Sequence, residues 1–149
     1  FYPLDTVSNW NKLYGKNGFT QIQLLIKQNK DNKDLLIEII KYFSEKGFYS
    51  YLTTLKEYGE GNKNFLSFGE KGLSITLDIP LKNSFSKVYE EFEKKFSNEY
   101  IKVYLAKDSF MSQTFFKNTY SKLNDFNELQ KRINSKSTFK SKLSQRLGL

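Results

Sequence analysis

The sequence predicts an α+β domain built around an antiparallel sheet of four strands, and three observations support this fold class. Three stretches place apolar side chains at the two-residue period of half-buried strands, and a fourth is rich in aromatic and β-branched residues. Two further stretches carry apolar residues at the spacing of amphipathic helices. Together they follow one another as strand, helix, strand and again strand, helix, strand. At 149 residues the chain is long enough for one such domain and too short for two ordinary ones.

The first unit begins with a strand at residues 19–27 and ends with a strand at residues 48–58, which is rich in aromatic and β-branched side chains. Between them we predict a helix that begins at the cap-type residues 29–32 and runs to about Lys46. Gly47 suits the left-handed position that ends many helices. The apolar stripe of this helix consists of Leu35, Leu36, Ile39, Ile40 and Phe43.

The second unit follows a polar, glycine-rich stretch at residues 59–72, which we interpret as a long hairpin connection or mobile loop. Its first strand, at residues 73–80, shows the clearest alternation in the chain. Asn83 and Ser84 are then positioned to cap a second helix, and the last strand lies within residues 101–110. The apolar stripe of the second helix consists of Phe85, Val88, Tyr89, Phe92 and Phe96.

Segments outside the two units complete the predicted domain. We expect helical pieces at residues 113–120 and 123–132, a basic tail ending at residues 145–149, and an entry segment at residues 1–18. In the entry segment, the side chains expected to pack on the domain are Trp10, Leu13 and Tyr14. The order of elements is the split βαββαβ, ferredoxin-like arrangement, in which both helices cover one face of the sheet and the other face is open.

Composition narrows the possible chemistry. The chain has no cysteine and no histidine, which excludes disulfides, thiolate nucleophiles, Ser-His machinery and the usual zinc sites. Any catalysis therefore depends on Lys, Tyr, Asp, Glu or an external cofactor. The net charge is +8, but only Arg132 and Arg146 are arginines among 24 basic residues. Because phosphate and base recognition favour arginine, we interpret the charge mainly as solvated surface and discount an RNA-binding sheet. Weak attraction to anionic membranes or anionic substrates remains an open alternative.

The open face of the predicted sheet is dense in hydrogen-bonding side chains. An antiparallel sheet often has one wet face, so an ordinary solvated surface is the alternative interpretation. Short polar groups and amides interleaved with apolar and aromatic side chains are more typical of a pocket wall. The residues on this face are Gln21, Gln23, Leu52, Thr54, Lys56, Tyr58, Ser74, Thr76 and Tyr104, with Lys107 where the last strand leaves the sheet.

Six short stretches carry a resemblance to a known family. They are Tyr2-Pro3-Leu4-Asp5, Gly18-Phe19-Thr20-Gln21-Ile22-Gln23, Leu66-Ser67-Phe68, Asp78-Ile79-Pro80, Tyr104-Leu105-Ala106-Lys107-Asp108-Ser109 and Arg146-Leu147-Gly148-Leu149. In this order they resemble the C-terminal portion of the decaprenylphosphoryl-β-D-ribose 2′-oxidase family, within the vanillyl-alcohol-oxidase-like flavoproteins. The resemblance implies a single substrate domain over residues 1–149, part of a longer polypeptide whose N-terminal domain binds FAD. It also implies that this chain alone is inactive.

The resemblance assigns roles position by position. Lys107 resembles the lysine beside the flavin and the reacting carbon, and Tyr104 resembles a tyrosine that contacts the flavin. Thr76 stands where the mycobacterial enzymes have a reactive cysteine, and Phe110 stands where a basic residue is common. The positions predicted to bind substrate are Gln21, Gln23, Leu52, Thr54, Lys56, Tyr58, Ser74 and Thr76.

The implied activity is oxidation of a sugar secondary hydroxyl to a ketone, on a polyprenyl-phosphate-linked pentose, as the first half of an epimerisation. The implied partners are the N-terminal FAD domain, a lipid-linked or free sugar and a short-chain dehydrogenase; the implied location is cytoplasmic, at the inner face of the membrane. Two alternatives remain open at this point. One is a flavin oxidase of a soluble sugar or aldonolactone, and the other is a non-enzymatic ferredoxin-like binding module.

Overall fold

The computed structural model describes Thr6 and residues 8–28, 32–97, 100–136 and 138–149. The motif at residues 2–5 and most of the predicted cap at residues 29–32 lie outside these ranges. The strands are β1 (Phe19–Lys27), β2 (Thr53–Tyr58), β3 (Gly72–Pro80) and β4 (Ile101–Val103). The α-helices are α1 (Asn32–Glu45), α2 (Phe85–Phe96), α3 (Gln113–Thr119), α4 (Leu123–Ile133) and α5 (Lys142–Leu147), and short 3-10 helices cover Trp10–Tyr14 and Leu105–Lys107.

The described strands form one four-stranded sheet in the order β2-β3-β1-β4, and every neighbouring pair is antiparallel. The long central strands β1 and β3 pair over their whole length, with Gln23 opposite Thr76. On the other side of β3, Thr54 lies opposite Thr76 and Lys56 lies opposite Ser74. This order and the βαββαβ succession are those of the ferredoxin-like fold, so the predicted fold class is confirmed.

Apolar side chains from the sheet and from both helices form the core on one face. In α2 the whole predicted stripe is buried. In α1 the buried side is rotated relative to the prediction, because Tyr42 is buried while Ile40 is 37% exposed. Tyr42 tolerates this position because its hydroxyl donates to the Val88 carbonyl oxygen of α2 at 2.9 Å. In the entry segment Tyr14 is buried as predicted, but Leu13 is 68% exposed, so its predicted packing is wrong.

The boundaries of α1, β2 and α2 agree only in part with the prediction. Gly47 adopts the expected positive φ of 76° after α1. The second strand begins at Thr53 rather than at residue 48, because the chain leaving Gly47 meets β3 irregularly. There the Asp78 amide donates to Ser50 Oγ at 2.9 Å, and Tyr49 is exposed to solvent. Ser84 precedes α2 as predicted, but its side chain makes no capping hydrogen bond.

The last strand and the C-terminal segment also differ from the prediction. β4 has only three residues, because the chain after Val103 turns into the 3-10 helix that carries Lys107. The predicted basic tail instead contains α5, whose Ser141 and Ser144 form a reciprocal capping box. Leu147 of this helix is completely buried, so the segment is part of the domain.

Gly72→Ala should destabilise the fold by about 2–4 kcal/mol, because the new methyl group would overlap a backbone atom that cannot move aside. Gly72 lies between Lys27 of β1 and Tyr58 of β2, and a Cβ there would meet the Ile26 carbonyl oxygen. The matched control is Gly59→Ala, since a Cβ on Gly59 has no other atom within 4 Å. Urea unfolding measures both variants, and equal stabilities for the two would contradict this packing.

Candidate functional site

The face of the sheet opposite α1 and α2 is here called the polar face. It is partly covered by residues 59–71 between β2 and β3, here called the covering segment. Phe68 of this segment is buried, with its ring centroid 5.8 Å from that of Tyr58 and 4.9 Å from that of Tyr104. Leu25, which points to this face, is 0% exposed. The prediction of an open face is therefore wrong around β1, while residues 53–57 of β2 remain exposed.

A buried ammonium group fastens the covering segment to the sheet. Lys102 of β4 is only 4% exposed, and its Nζ donates to the Ser67 carbonyl oxygen at 3.1 Å and pairs with the Glu70 carboxylate. Lys27 Nζ also lies 3.3 Å from Glu70 Oε2. Lys102 is absent from the predicted site residues, although it shares the strand parity of Tyr104 and is flanked by apolar residues.

Burial and charge act against one another in this ion pair. Burial works to raise the pKa of Glu70, but the nearby Lys102 and Lys27 ammonium groups outweigh it and hold that pKa below its usual value. For Lys102, burial is the larger effect and lowers the pKa in spite of Glu70. The contact between the covering segment and the polar face therefore includes a largely buried pair of opposite charges.

Three of the predicted site residues form a hydrogen-bonded floor in the middle of the polar face. Gln23 Nε2 donates to Ser74 Oγ at 3.1 Å and to the Tyr58 hydroxyl at 3.4 Å. Gln23 and Ser74 are buried, and so is Thr76, the strand neighbour of Gln23. Since an amide and two hydroxyls can both donate and accept, this floor can bind the hydroxyl groups of a sugar.

At one end of this face, Gln21 is held by a carboxylate that the sequence reasoning did not list. Gln21 Nε2 donates to Asp78 Oδ1 at 2.6 Å, and the Tyr14 hydroxyl lies 3.4 Å from Asp78 Oδ2. Burial first, and then the Asp78 charge, raise the pKa of Tyr14 to about 12. Asp78 lies two residues after Thr76 and four after Ser74, so alternation along β3 places it on the same face. This alternation was the signal in the sequence that could have identified Asp78 as a site residue.

The predicted residues on β2 occupy the exposed side of the polar face. Leu52, Thr54 and Lys56 are all exposed, so the structure places them beside the buried floor without hydrogen bonds to it among the described residues. The polar face is thus a shelf with a buried back and an open β2 edge. A cavity of about 750 Å³ lies elsewhere, between α4 and α5.

Tyr104 and Lys107 lie where the chain leaves the polar face. The Tyr104 amide donates to the Gln23 carbonyl oxygen at 2.9 Å, which continues the pairing beyond β4. The Lys107 amide then donates to the Tyr104 carbonyl oxygen at 3.0 Å and closes the 3-10 turn. Within the described ranges, Lys107 Nζ makes no hydrogen bond or ion pair. The described structure therefore leaves this cation without a partner, on the turn that begins at Tyr104.

The residue after Lys107 anchors this turn to the C-terminal helix. Asp108 Oδ1 accepts hydrogen bonds from the Phe110 amide at 3.0 Å and the Met111 amide at 2.8 Å. Its Oδ2 accepts from Arg146 Nη2 at 2.7 Å, and the Asp108 side chain is 2% exposed. Arg146 Nη1 also donates to the Met111 carbonyl oxygen. These four residues, here called the Asp108–Arg146 lock, fix the turn that carries Lys107.

The resemblance predicts that Tyr104 and Lys107 lie at the edge of a flavin ring, and the described residues do not form a complete cofactor site. Tyr104 offers an aromatic surface and Lys107 a free ammonium, which suit a flat heterocycle whose pyrimidine end carries negative charge when reduced. The described chain has no glycine-rich segment leading from a strand into a helix, the usual cradle for a cofactor's phosphates. No group of three or more His, Cys, Asp or Glu able to hold a metal ion occurs among the described residues.

Glu70→Gln should destabilise the chain by about 1–3 kcal/mol, because it leaves the Lys102 ammonium buried without its counter-charge. The expected loss of stability is at the low end for a buried ion pair, because the Glu70 side chain is 36% exposed and solvent screens its charge. The pKa of Glu70 lies below its usual 4.5, so this contribution is present above pH 4.5 and is lost as the pH falls through the folded-state pKa. Unfolding experiments at several pH values should therefore show a flatter acid limb for the variant.

The control for that measurement is Glu60→Gln, in the same covering segment. Glu60 lies 3.7 Å from Lys71 but is 86% exposed, so its replacement should change stability by no more than about 0.5 kcal/mol. Equal losses in the two variants would show that the Lys102 pair does not hold the segment.

Arg146→Ala should destabilise the chain by about 3–5 kcal/mol, because it leaves the Asp108 carboxylate buried without its cation. Hydrogen exchange of the Phe110 and Met111 amides should accelerate together, since both bond to Asp108. Arg132→Ala is the matched control, because Arg132 is the other arginine and is exposed. Unchanged exchange at these two amides would contradict the lock.

A comparison with curated proteins returns relatives of this chain. Over its whole length the chain is 27% identical to decaprenylphosphoryl-beta-D-ribose oxidase of Mycolicibacterium smegmatis, aligned over 151 residues that make up 32% of that protein. Over 118 residues, 78% of the chain, it is 28% identical to a Streptomyces coelicolor protein described as uncharacterized and located in the mprA 5′ region. This alignment also covers 32% of the relative.

The chain thus spans about a third of the length of the curated relatives it matches. No family model matches it. The alignment with the oxidase includes the strands, the 3-10 turn and the C-terminal helix that together form the polar face and its surroundings. The resemblance predicted from the sequence motifs is therefore confirmed: along its whole length this chain is similar to one third of a decaprenylphosphoryl-beta-D-ribose oxidase.

Proposed function

We propose that this chain is the substrate-binding domain of an FAD-dependent oxidoreductase that oxidises a secondary hydroxyl group of a sugar to a ketone. The observation that carries the proposal is the floor of Gln23, Ser74 and Tyr58, in a chain similar to an oxidase. The Tyr104 backbone that pairs with Gln23 leads directly into the turn of Lys107, whose ammonium has no partner among the described residues. The floor suits a polyhydroxylated ligand, and the cation suits a reaction that develops negative charge.

The proposed substrate is a polyprenyl-phosphate-linked pentose, and the ketone is the intermediate of an epimerisation. This proposal follows from the similarity to the Mycolicibacterium relative, a decaprenylphosphoryl-beta-D-ribose oxidase. The proposed partners are an FAD-binding N-terminal domain of the same polypeptide and a short-chain dehydrogenase that reduces the ketone. The proposed location is the cytoplasm, at the inner face of the membrane.

The chain's own residues have distinct parts in this reaction. FAD, when bound, would accept the hydride that leaves the sugar carbon, and the hydroxyl proton would be released to solvent. Gln23 and Ser74 orient the sugar by hydrogen bonds, and the buried back of the shelf keeps water away from them. Tyr104 would contact the ring of the cofactor. Lys107 would place its ammonium near that ring and stabilise the negative charge that develops there.

The first experiment is the visible absorption spectrum of the purified full-length protein, with the 149-residue chain measured alongside. Flavin bands are expected in the full-length protein and not in the shorter chain. If the full-length protein is colourless and stays so after FAD is added, the oxidoreductase proposal fails and a non-enzymatic binding module replaces it. Bleaching by a sugar without a lipid tail, at the rate seen with the lipid-linked sugar, would identify a soluble-sugar oxidase.

Lys107→Ala in the full-length protein should retain the flavin bands and abolish flavin reduction by substrate, a loss of at least about 100-fold in rate. Stopped-flow absorbance measures the reduction directly. Lys117→Ala is the control, since Lys117 is an exposed residue of α3 outside the polar face. Reduction at the normal rate in Lys107→Ala would remove this residue from the mechanism.

A further inference from the structure

The end of α4 and the residues that follow it form a basic surface that the proposed oxidation does not use. It is here called the basic loop surface, and its cations are Lys131, Arg132, Lys136, Lys140 and Lys142. No Asp or Glu occurs after Glu128, so no acidic side chain of this segment offsets them. Lys131 and Lys140, together with Phe139, line one open cavity of about 750 Å³, which places these three residues around the same depression.

Two large apolar side chains project from the same segment. Phe139 is 80% exposed and Ile133 is 72% exposed, the highest values among the large hydrophobic residues described. The backbone of Phe139 is fixed by Asn134. Asn134 Nδ2 donates to the Phe139 carbonyl oxygen at 3.0 Å, and Asn134 Oδ1 accepts from the Phe139 amide at 3.2 Å. The residue with the most exposed ring in this segment therefore has an anchored backbone.

We propose that the basic loop surface docks the protein onto an anionic lipid bilayer. Clustered lysines are attracted to a negatively charged leaflet, and exposed Phe and Ile side chains can enter the boundary between headgroups and acyl chains. The described helices include none that is long and apolar enough to cross a membrane. The proposed contact is peripheral: lysines provide the attraction, and Phe139 and Ile133 provide shallow insertion.

Two other occupants fit the surface less well. Protein–protein interfaces are depleted in lysine at their cores, whereas four of the five cations here are lysines. Nucleic-acid binding relies on arginine for bidentate phosphate and base contacts, and Arg132 is the only arginine in the cluster. A bilayer needs neither a matched shape nor bidentate geometry, so it suits a lysine cluster with apolar tips.

The test is co-sedimentation of the purified full-length protein with vesicles, which needs no substrate and no flavin turnover. Binding is expected to vesicles that contain phosphatidylglycerol, to weaken as salt is added, and to be weak with phosphatidylcholine alone. The triple variant Lys136→Gln, Lys140→Gln, Lys142→Gln should lose roughly 100-fold in partitioning, because each lysine near an anionic surface contributes about fivefold. Phe139→Ser should lose about tenfold.

The controls match charge and exposure outside this surface. A triple variant with Lys12, Lys16 and Lys41 changed to Gln has the same net charge as the first triple variant, and Leu13→Ser removes an apolar side chain that is 68% exposed. Both should bind vesicles within about threefold of the unmodified protein, because their residues lie away from the docking surface. Three outcomes would each overturn the proposal. They are equal losses of binding in the two triple variants, no binding to anionic vesicles, and tighter binding to an RNA or DNA oligonucleotide through the same lysines. Since none of these readouts involves the flavin, failure here is distinct from failure of the proposed oxidation.

Discussion

The structure depends on the need to cover both faces of its central strand. β1 has a neighbour on each side, and Leu24, Leu25 and Ile26 have no exposed surface although they alternate between the two faces. The helices cover only one of those faces. The segment between β2 and β3 therefore covers the middle of the other, and the Lys102–Glu70 pair fastens it there. The buried back of the shelf, and hence the hydrogen bonds of Gln23, result from this requirement.

The elements that could be predicted from the sequence are those whose signal is local. The alternation in β3 and the apolar stripe of α2 identify these elements, and their order determines the ferredoxin-like topology. The ends of β2 and β4 could not be predicted, because they are decided by contacts made elsewhere. β4 ends where a 3-10 turn begins, and β2 begins only after the irregular contact between Ser50 and Asp78.

The candidate site divides in the same way. Gln23, Ser74 and Tyr58 could be placed on one face by parity alone, and the structure joins them by hydrogen bonds. The roles of Lys102 and Asp108 could not be inferred, since each depends on a partner far away in the sequence. Lys102 pairs with Glu70 across 32 residues and Asp108 with Arg146 across 38 residues, distances over which neither periodicity nor composition carries information. The assignment of Lys107 to flavin chemistry rests on the family resemblance and stays a prediction.

The Asp108–Arg146 lock has a consequence for the order in which the domain is completed during synthesis. A ribosome releases the sheet and the turn bearing Lys107 before it has made α5. Asp108 pairs with a cation 38 residues further along the chain, beyond both α3 and α4. Because domains fold from the N-terminal side during translation, the turn that carries Lys107 can be anchored only after α5 has been made. A nascent chain interrupted in α4 would carry a nearly finished sheet and an unanchored lysine.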